Sequence, residues 1–118
     1  MVAFVAPGSD GEANLNTQWI AQTGAEGLIS DGPEQLLALE GYPSTLAPPR
    51  WLMVFDAIER PGNGTFPPLA VPVRRTFRQR RFNSQGFRFG VYWAASSTPL
   101  TFTFDPTAAL RVDVELLA

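Results

Sequence analysis

From Gln35 onward the chain sets apolar and polar residues in short runs broken by Pro, Gly and Asn, a pattern of strands and turns rather than helices. The last run is the clearest. Leu110, Val112, Val114 and Leu116 fall on one side of a period-2 alternation, with Arg111, Asp113 and Glu115 on the other, which predicts a half-buried strand. LTFTF likewise puts Leu100, Phe102 and Phe104 on one face and Thr101 and Thr103 on the other. FRFGVYWAASS, from Phe87 to Ser97, predicts one long strand, and QLLALEGYPS, from Gln35, a strand of looser alternation. WLMVFDA, from Trp51, is continuously apolar, the form expected of a strand buried on both faces or at the centre of a sandwich. Pro61, Gly62, Asn63 and Gly64 then supply a turn, because proline presets φ and Gly or Asn tolerates positive φ. FPPLAVPV is the returning strand, and Pro67, Pro68 and Pro72 cannot donate to a ladder, so at least one side of it is a sheet edge or a bulge.

Residues 1–34 lack a sustained period and read as an extended N-terminal arm holding a short strand or two. Phe4, Trp19 and Ile20 are costly to leave in water, about 1.5 to 3 kcal/mol each. The arm is therefore expected to dock on a partner. Residues 35–118 form the domain proper, with about six or seven strands at short spacing, an all-β antiparallel β-sandwich or small barrel.

Composition sharpens this. One domain is expected of 118 residues, and 11 prolines with 10 glycines fit a turn-rich all-β chain. Cysteine and histidine are absent, which removes disulfides, thiolate metal sites and the commonest general base together. An enzyme and a cofactor are accordingly not expected. Charged residues make up only 17%, below the usual quarter, so the chain is expected to hide surface against a partner subunit. The N-terminus has neither the basic region nor the apolar core of a signal peptide, and no run approaches the roughly 20 apolar residues of a membrane span. Synthesis in the cytoplasm without a membrane partner is the expectation.

The net charge of −2 conceals an asymmetry. All basic residues are arginines, and Arg74, Arg75, Arg78, Arg80 and Arg81 follow one another with no acid among them. Interleaved with Phe77 and Phe82, they could bind single-stranded nucleic acid. The acidic balance of the whole, with a pI near 5.0, weighs against direct nucleic-acid binding. A basic loop facing solvent or the carboxylates of a neighbouring subunit fits better. Asp56 with Glu59, and Asp105 with Asp113 and Glu115, could be paired hydrolytic carboxylates, but Asp56 and Asp105 sit at turn openers and the others on the polar side of a strand. Ser96, Ser97 and Thr98 have neither His nor Lys to activate a hydroxyl. Asn63-Gly64-Thr65 matches a glycosylation sequon and also a hairpin turn, which is the reading taken. Scattered acids could hold calcium, though EF-hand spacing is lacking. Trp51, Tyr92 and Trp93 could line a sugar groove, yet their place in apolar runs predicts core packing.

The ordered set LLALEGYPS, PPRWLMVFDA, PPLAVPV and GFRFGVYWAASSTPLTFTF resembles small structural proteins of tailed bacteriophages, the capsid decoration or cement proteins. The likeness covers about residues 35–118. It implies a β-sandwich or jelly-roll-like barrel that forms a small homo-oligomer, with a trimer favoured. It also implies a place on the outer surface of the phage head, where the partner is the major capsid protein and neighbouring capsid subunits are held together. No catalytic residue is carried over. The expected contact residues are those of the arm and the basic segment: Phe4, Trp19, Ile20, Arg74, Arg75, Arg78, Arg80 and Arg81. Another virion position, such as a tail or head-fibre base, and a carbohydrate-binding module are the alternatives.

Overall fold

Eight strands build two antiparallel sheets in a computed structural model that describes residues 17–43, 50–73 and 77–117, with the backbone alone over 77–84. The strands are β1 (Thr17–Gly24), β2 (Glu26–Ser30), β3 (Glu34–Pro43), β4 (Arg50–Phe55), β5 (Leu69–Val73), β6 (Phe77–Phe87), β7 (Val91–Ser96) and β8 (Leu110–Leu117). Their order is β1-β8-β3-β6 in the first sheet and β2-β7-β4-β5 in the second. The protein is thus an all-β sandwich.

The inner faces meet as period 2 requires. Leu52 and Val54 of β4, Leu69, Val71 and Val73 of β5, Val91, Trp93 and Ala95 of β7, and Leu110, Val112, Val114 and Leu116 of β8 are buried in one cluster. β3 keeps step through a bulge: Leu36 pairs with Leu116 and Leu39 with Val114, so Leu37 is the extra residue. A strict alternation would have turned Leu39 away from the core, and the bulge brings it back.

β4 is buried on both sides, as its continuous apolar run predicts. Its other face contributes Met53 and Phe55 to a second, smaller cluster with Ala94 and Phe102, flanked by Trp51, Ala57 and Phe104. The Phe55 and Phe102 rings meet edge to face at 5.0 Å. The lid over this face is the segment after β7, and here the expectation of a strand through LTFTF is corrected. Phe102 is buried while Leu100 is 77% exposed, and the segment touches its sheet through a single bridge from Ser96 to Phe104. Its backbone is satisfied across two elements. Ser97 N donates to the Thr103 carbonyl, Phe102 N to the Thr65 carbonyl, and Gly64 N to the Phe102 carbonyl.

Three further expectations change. Thr17–Gly24 and Glu26–Ser30, within the expected arm, are strands of the two sheets, with β1 against β8 and β2 against β7. The sandwich therefore begins no later than Thr17. Gly24, at φ 127°, turns the chain from one sheet to the other, a conformation that disfavours any side chain. The basic segment is not a loop: from Phe77 it is β6, paired with β3. Phe87 to Ser97 is two strands, because Asp56 accepts the backbone N–H groups of Arg88, Phe89 and Gly90 and so breaks the chain between β6 and β7. A Cβ on Gly90 would lie 2.6 Å from the Ser30 carbonyl oxygen, so the close approach there requires glycine. β5, with Pro72, is an edge strand as expected.

Candidate functional site

The outer face of the first sheet gathers several of the residues expected at an interface. Backbone register forms one row of Trp19, Glu115, Ala38 and Arg80, and a second of Ala21, Asp113, Glu40 and Arg78. Arg78 and Arg80 thus stand in register with acids and small residues of their own sheet. Arg81 lies in the stretch where the pairing of β6 with β3 jumps from Arg80 to Gln85. Trp19 is 49% exposed at the free edge of β1, whereas Ile20, its neighbour, turns inward against the main core. Phe4, Arg74 and Arg75 lie outside the described residues.

A second surface sits at the loops over the second sheet. The β4–β5 loop is tied down at Gly62, whose carbonyl accepts from Thr65 Oγ1 at 2.7 Å, and at Asn63, whose Oδ1 accepts the Phe104 N–H at 3.0 Å. The opposing segment is held by Ser96: its buried Oγ donates to the Thr98 carbonyl at 2.9 Å and accepts the Thr103 N–H at 3.0 Å. Thr98 Oγ1 donates to the Thr101 carbonyl at 2.6 Å. Ser96 and Thr98 thus serve the turn. From this stiff frame two large apolar side chains project into solvent, Phe66 at 76% exposure and Leu100 at 77%. Neither stands out in the sequence, because Phe66 reads as the start of a strand and Leu100 as one face of another. The signal was the prolines beside them, Pro67 and Pro99, which end regular pairing.

Asp56, Asp105, Tyr92, Glu26 and Arg60 are each engaged by neighbouring groups. Burial pushes the Asp56 carboxyl up, but the Phe89, Arg88 and Gly90 N–H groups outweigh it and hold its pKa below the usual value. Asp105 is lowered by the Thr107 hydroxyl and N–H and by the Arg50 guanidinium, with which it forms an ion pair. Tyr92 donates to Glu26 Oε1 at 2.5 Å, and burial together with that carboxylate raises its pKa to about 12. Arg60 pairs with Glu26 Oε2 at 2.9 Å and lies over the Phe104 ring at 4.1 Å. This cluster closes the junction of β2, β7 and the two loops.

Trp93 is fully buried and Tyr92 is engaged by Glu26, so Trp51, Tyr92 and Trp93 do not form an open aromatic platform. Among the described residues no group of three His, Cys, Asp or Glu side chains is placed to hold a metal ion. A depression of about 210 Å³ beside Pro33, Glu34, Gln35, Phe87 and Leu117 is open and below the size of usual small-molecule sites. No helix of the described residues is long and apolar enough to cross a membrane. What the fold defines is a sandwich that presents Phe66 and Leu100 from hydrogen-bonded loops.

Compared with known proteins, the chain matches no family model, and no curated protein matches its sequence significantly.

Proposed function

We infer that the protein is a non-enzymatic virion component, a decoration protein that binds the outer surface of a tailed-phage head and stabilises contacts between major capsid subunits. The observation that carries the reading is the exposure of Phe66 and Leu100 on a loop frame fixed by backbone pairing between Gly64, Thr65 and Phe102. Large apolar side chains carried on a backbone already fixed by hydrogen bonds require little ordering of the chain on binding, which suits them as interface anchors. The motif resemblance in residues 35–118 directs that anchor to a capsid, and the low charge agrees with a protein that covers part of its surface by assembly.

The test is co-sedimentation of the purified chain with heads built from the major capsid protein of the genome that carries it. Stoichiometric binding is expected, with an affinity loss of tenfold or more, about 1.4 kcal/mol, in a Phe66→Ser, Leu100→Ser double variant that keeps the wild-type melting temperature. Absence of binding to the heads, or equal binding by the variant, would overturn this assignment.

A further inference from the structure

Among the described residues four strands lie at sheet edges, and three of them are guarded. β5 is short and carries Pro72, β2 is short and bulged between Leu28 and Ser30, and β6 is rich in arginine with an interrupted register. Each is a known device against adding another strand. β1 has none. It runs eight residues, TQWIAQTG, in unbroken register with β8, and contains no charge and no proline. Among the described residues nothing pairs with its outer side.

The sequence of that edge says what covers it. Thr17-Gln18-Trp19-Ile20-Ala21-Gln22-Thr23 reads nearly the same in both directions about Ile20. A two-fold axis normal to a sheet pairs residues that share a face, so it must pass through one residue and not between two. Centred on Ile20, it sets Thr17 against Thr23 of the second copy, Gln18 against Gln22, and Trp19 against Ala21. Threonine and glutamine pairs can hydrogen-bond across strands. The bulky indole meets the smallest side chain on the strand, and the two Ile20 side chains, already turned toward the core, meet on the inner face. Gln22 already accepts from Trp93 Nε1 at 2.8 Å and donates to the Leu28 carbonyl at 2.7 Å, which leaves its second amide hydrogen and second oxygen lone pair for Gln18 of the other copy.

We propose that the β1 edge is a homodimer interface, in which two copies pair β1 antiparallel about Ile20 and join their first sheets into one continuous eight-stranded sheet. The occupant is a second copy because this strand, reversed, sets the same residue types against the edge at every position except Trp19 and Ala21, where large meets small. The dimer stands apart from the capsid reading: it forms or fails whether or not the protein meets a head.

Charge reversal on the full chain tests both the interface and its register, with mass measured by light scattering over a wide range of concentration. Thr17 and Thr23 are exposed and lie at opposite ends of the strand, so substitution there leaves the fold intact, which circular dichroism verifies. Wild type is expected at twice the chain mass. The T17K/T23K variant places like charges in contact twice per dimer and should dissociate at least about tenfold more readily, while T17K/T23E restores pairing. An Ile20→Cys variant, the only thiol in the chain, should give a disulfide-linked dimer on oxidation. A wild-type monomer over the whole concentration range would overturn the proposal. So would three times the chain mass, the threefold assembly implied by the resemblance, or a dimer indifferent to the sign of the charge at position 23.

Discussion

Trp93 donates its indole N–H to Gln22 Oε1 at 2.8 Å, linking the middle of β7 in one sheet to the edge strand of the other. The indole is fully buried, so its N–H depends on this acceptor. Replacing Gln22 by Leu should cost about 1 to 3 kcal/mol, read as a lower urea midpoint with an unchanged slope. Gln22→Glu keeps the acceptor oxygen and should cost less.

Removal of the Asp56 carboxylate should be worse than its partial exposure implies. Asp56→Ala strips acceptors from three backbone N–H groups at the β6–β7 corner, and a loss of about 2 kcal/mol or more is expected in chemical denaturation. Asp56→Asn, with one acceptor oxygen, should fall between.

Acid sensitivity follows from the same group together with Asp105. Both have folded pKa values below the usual 3.8, so between the folded and unfolded values the unfolded chain binds more protons. Their stabilisation is complete above that value and is lost as pH falls through it toward the folded values. Denaturation midpoints should therefore decline below about pH 4, and the decline should be shallower in Asp56→Asn.

Tyr92 makes the opposite prediction at alkaline pH. Its pKa is raised from 10.0 to about 12, so the protonated phenol is favoured by folding. That contribution is whole below pH 10 and disappears as pH rises through the interval to 12. Absorbance of the phenolate should show one tyrosine ionising late, and Tyr92→Phe should abolish that late step while weakening the hold on Glu26.

Phe102 anchors the second apolar cluster, against Phe55 at 5.0 Å and Phe104 at 6.1 Å. Phe102→Ala should cost about 3 to 5 kcal/mol and free the loop frame, measurable as faster amide exchange at Gly64 and Thr65. Leu100→Ala, at an exposed position, should change stability by less than about 0.5 kcal/mol.

The sequence makes the fold legible where one face of a strand is buried and the other is wet. β8 comes close to this: Leu110, Val112, Val114 and Leu116 are buried and Arg111 is exposed as the alternation predicts, but Glu115, expected on the wet side, is buried as well. The two-sided burial of β4 is equally readable from WLMVF, since polar residues are missing from both faces. Elsewhere tertiary contacts override the local pattern. The extra Leu37 is invisible until Leu36 and Leu39 are set against β8. LTFTF alternates like a strand, but its partners are the Thr65 carbonyl and the end of β7, and no period in a sequence reports that. β6 lacks apolar alternation and is a strand by its pairing with β3. Of the expected contact residues, Trp19, Arg78 and Arg80 fall in rows of one sheet, while Phe66 and Leu100 emerge only once the loops are in place. Exposure of a single apolar residue is a property of its surroundings.

The sheet order has a consequence for synthesis. β8 lies between β1 and β3, so the first described strand and the third both wait for Leu110–Leu117 before the first sheet can close. Most of the pairing is distant along the chain, which favours slow folding. A nascent chain emerging from the ribosome would carry the bare TQWIAQTG edge and the apolar side of β3 unsheltered until nearly all the domain had been made. Unpaired edges and uncovered apolar faces of this kind are the surfaces through which incompletely folded chains associate.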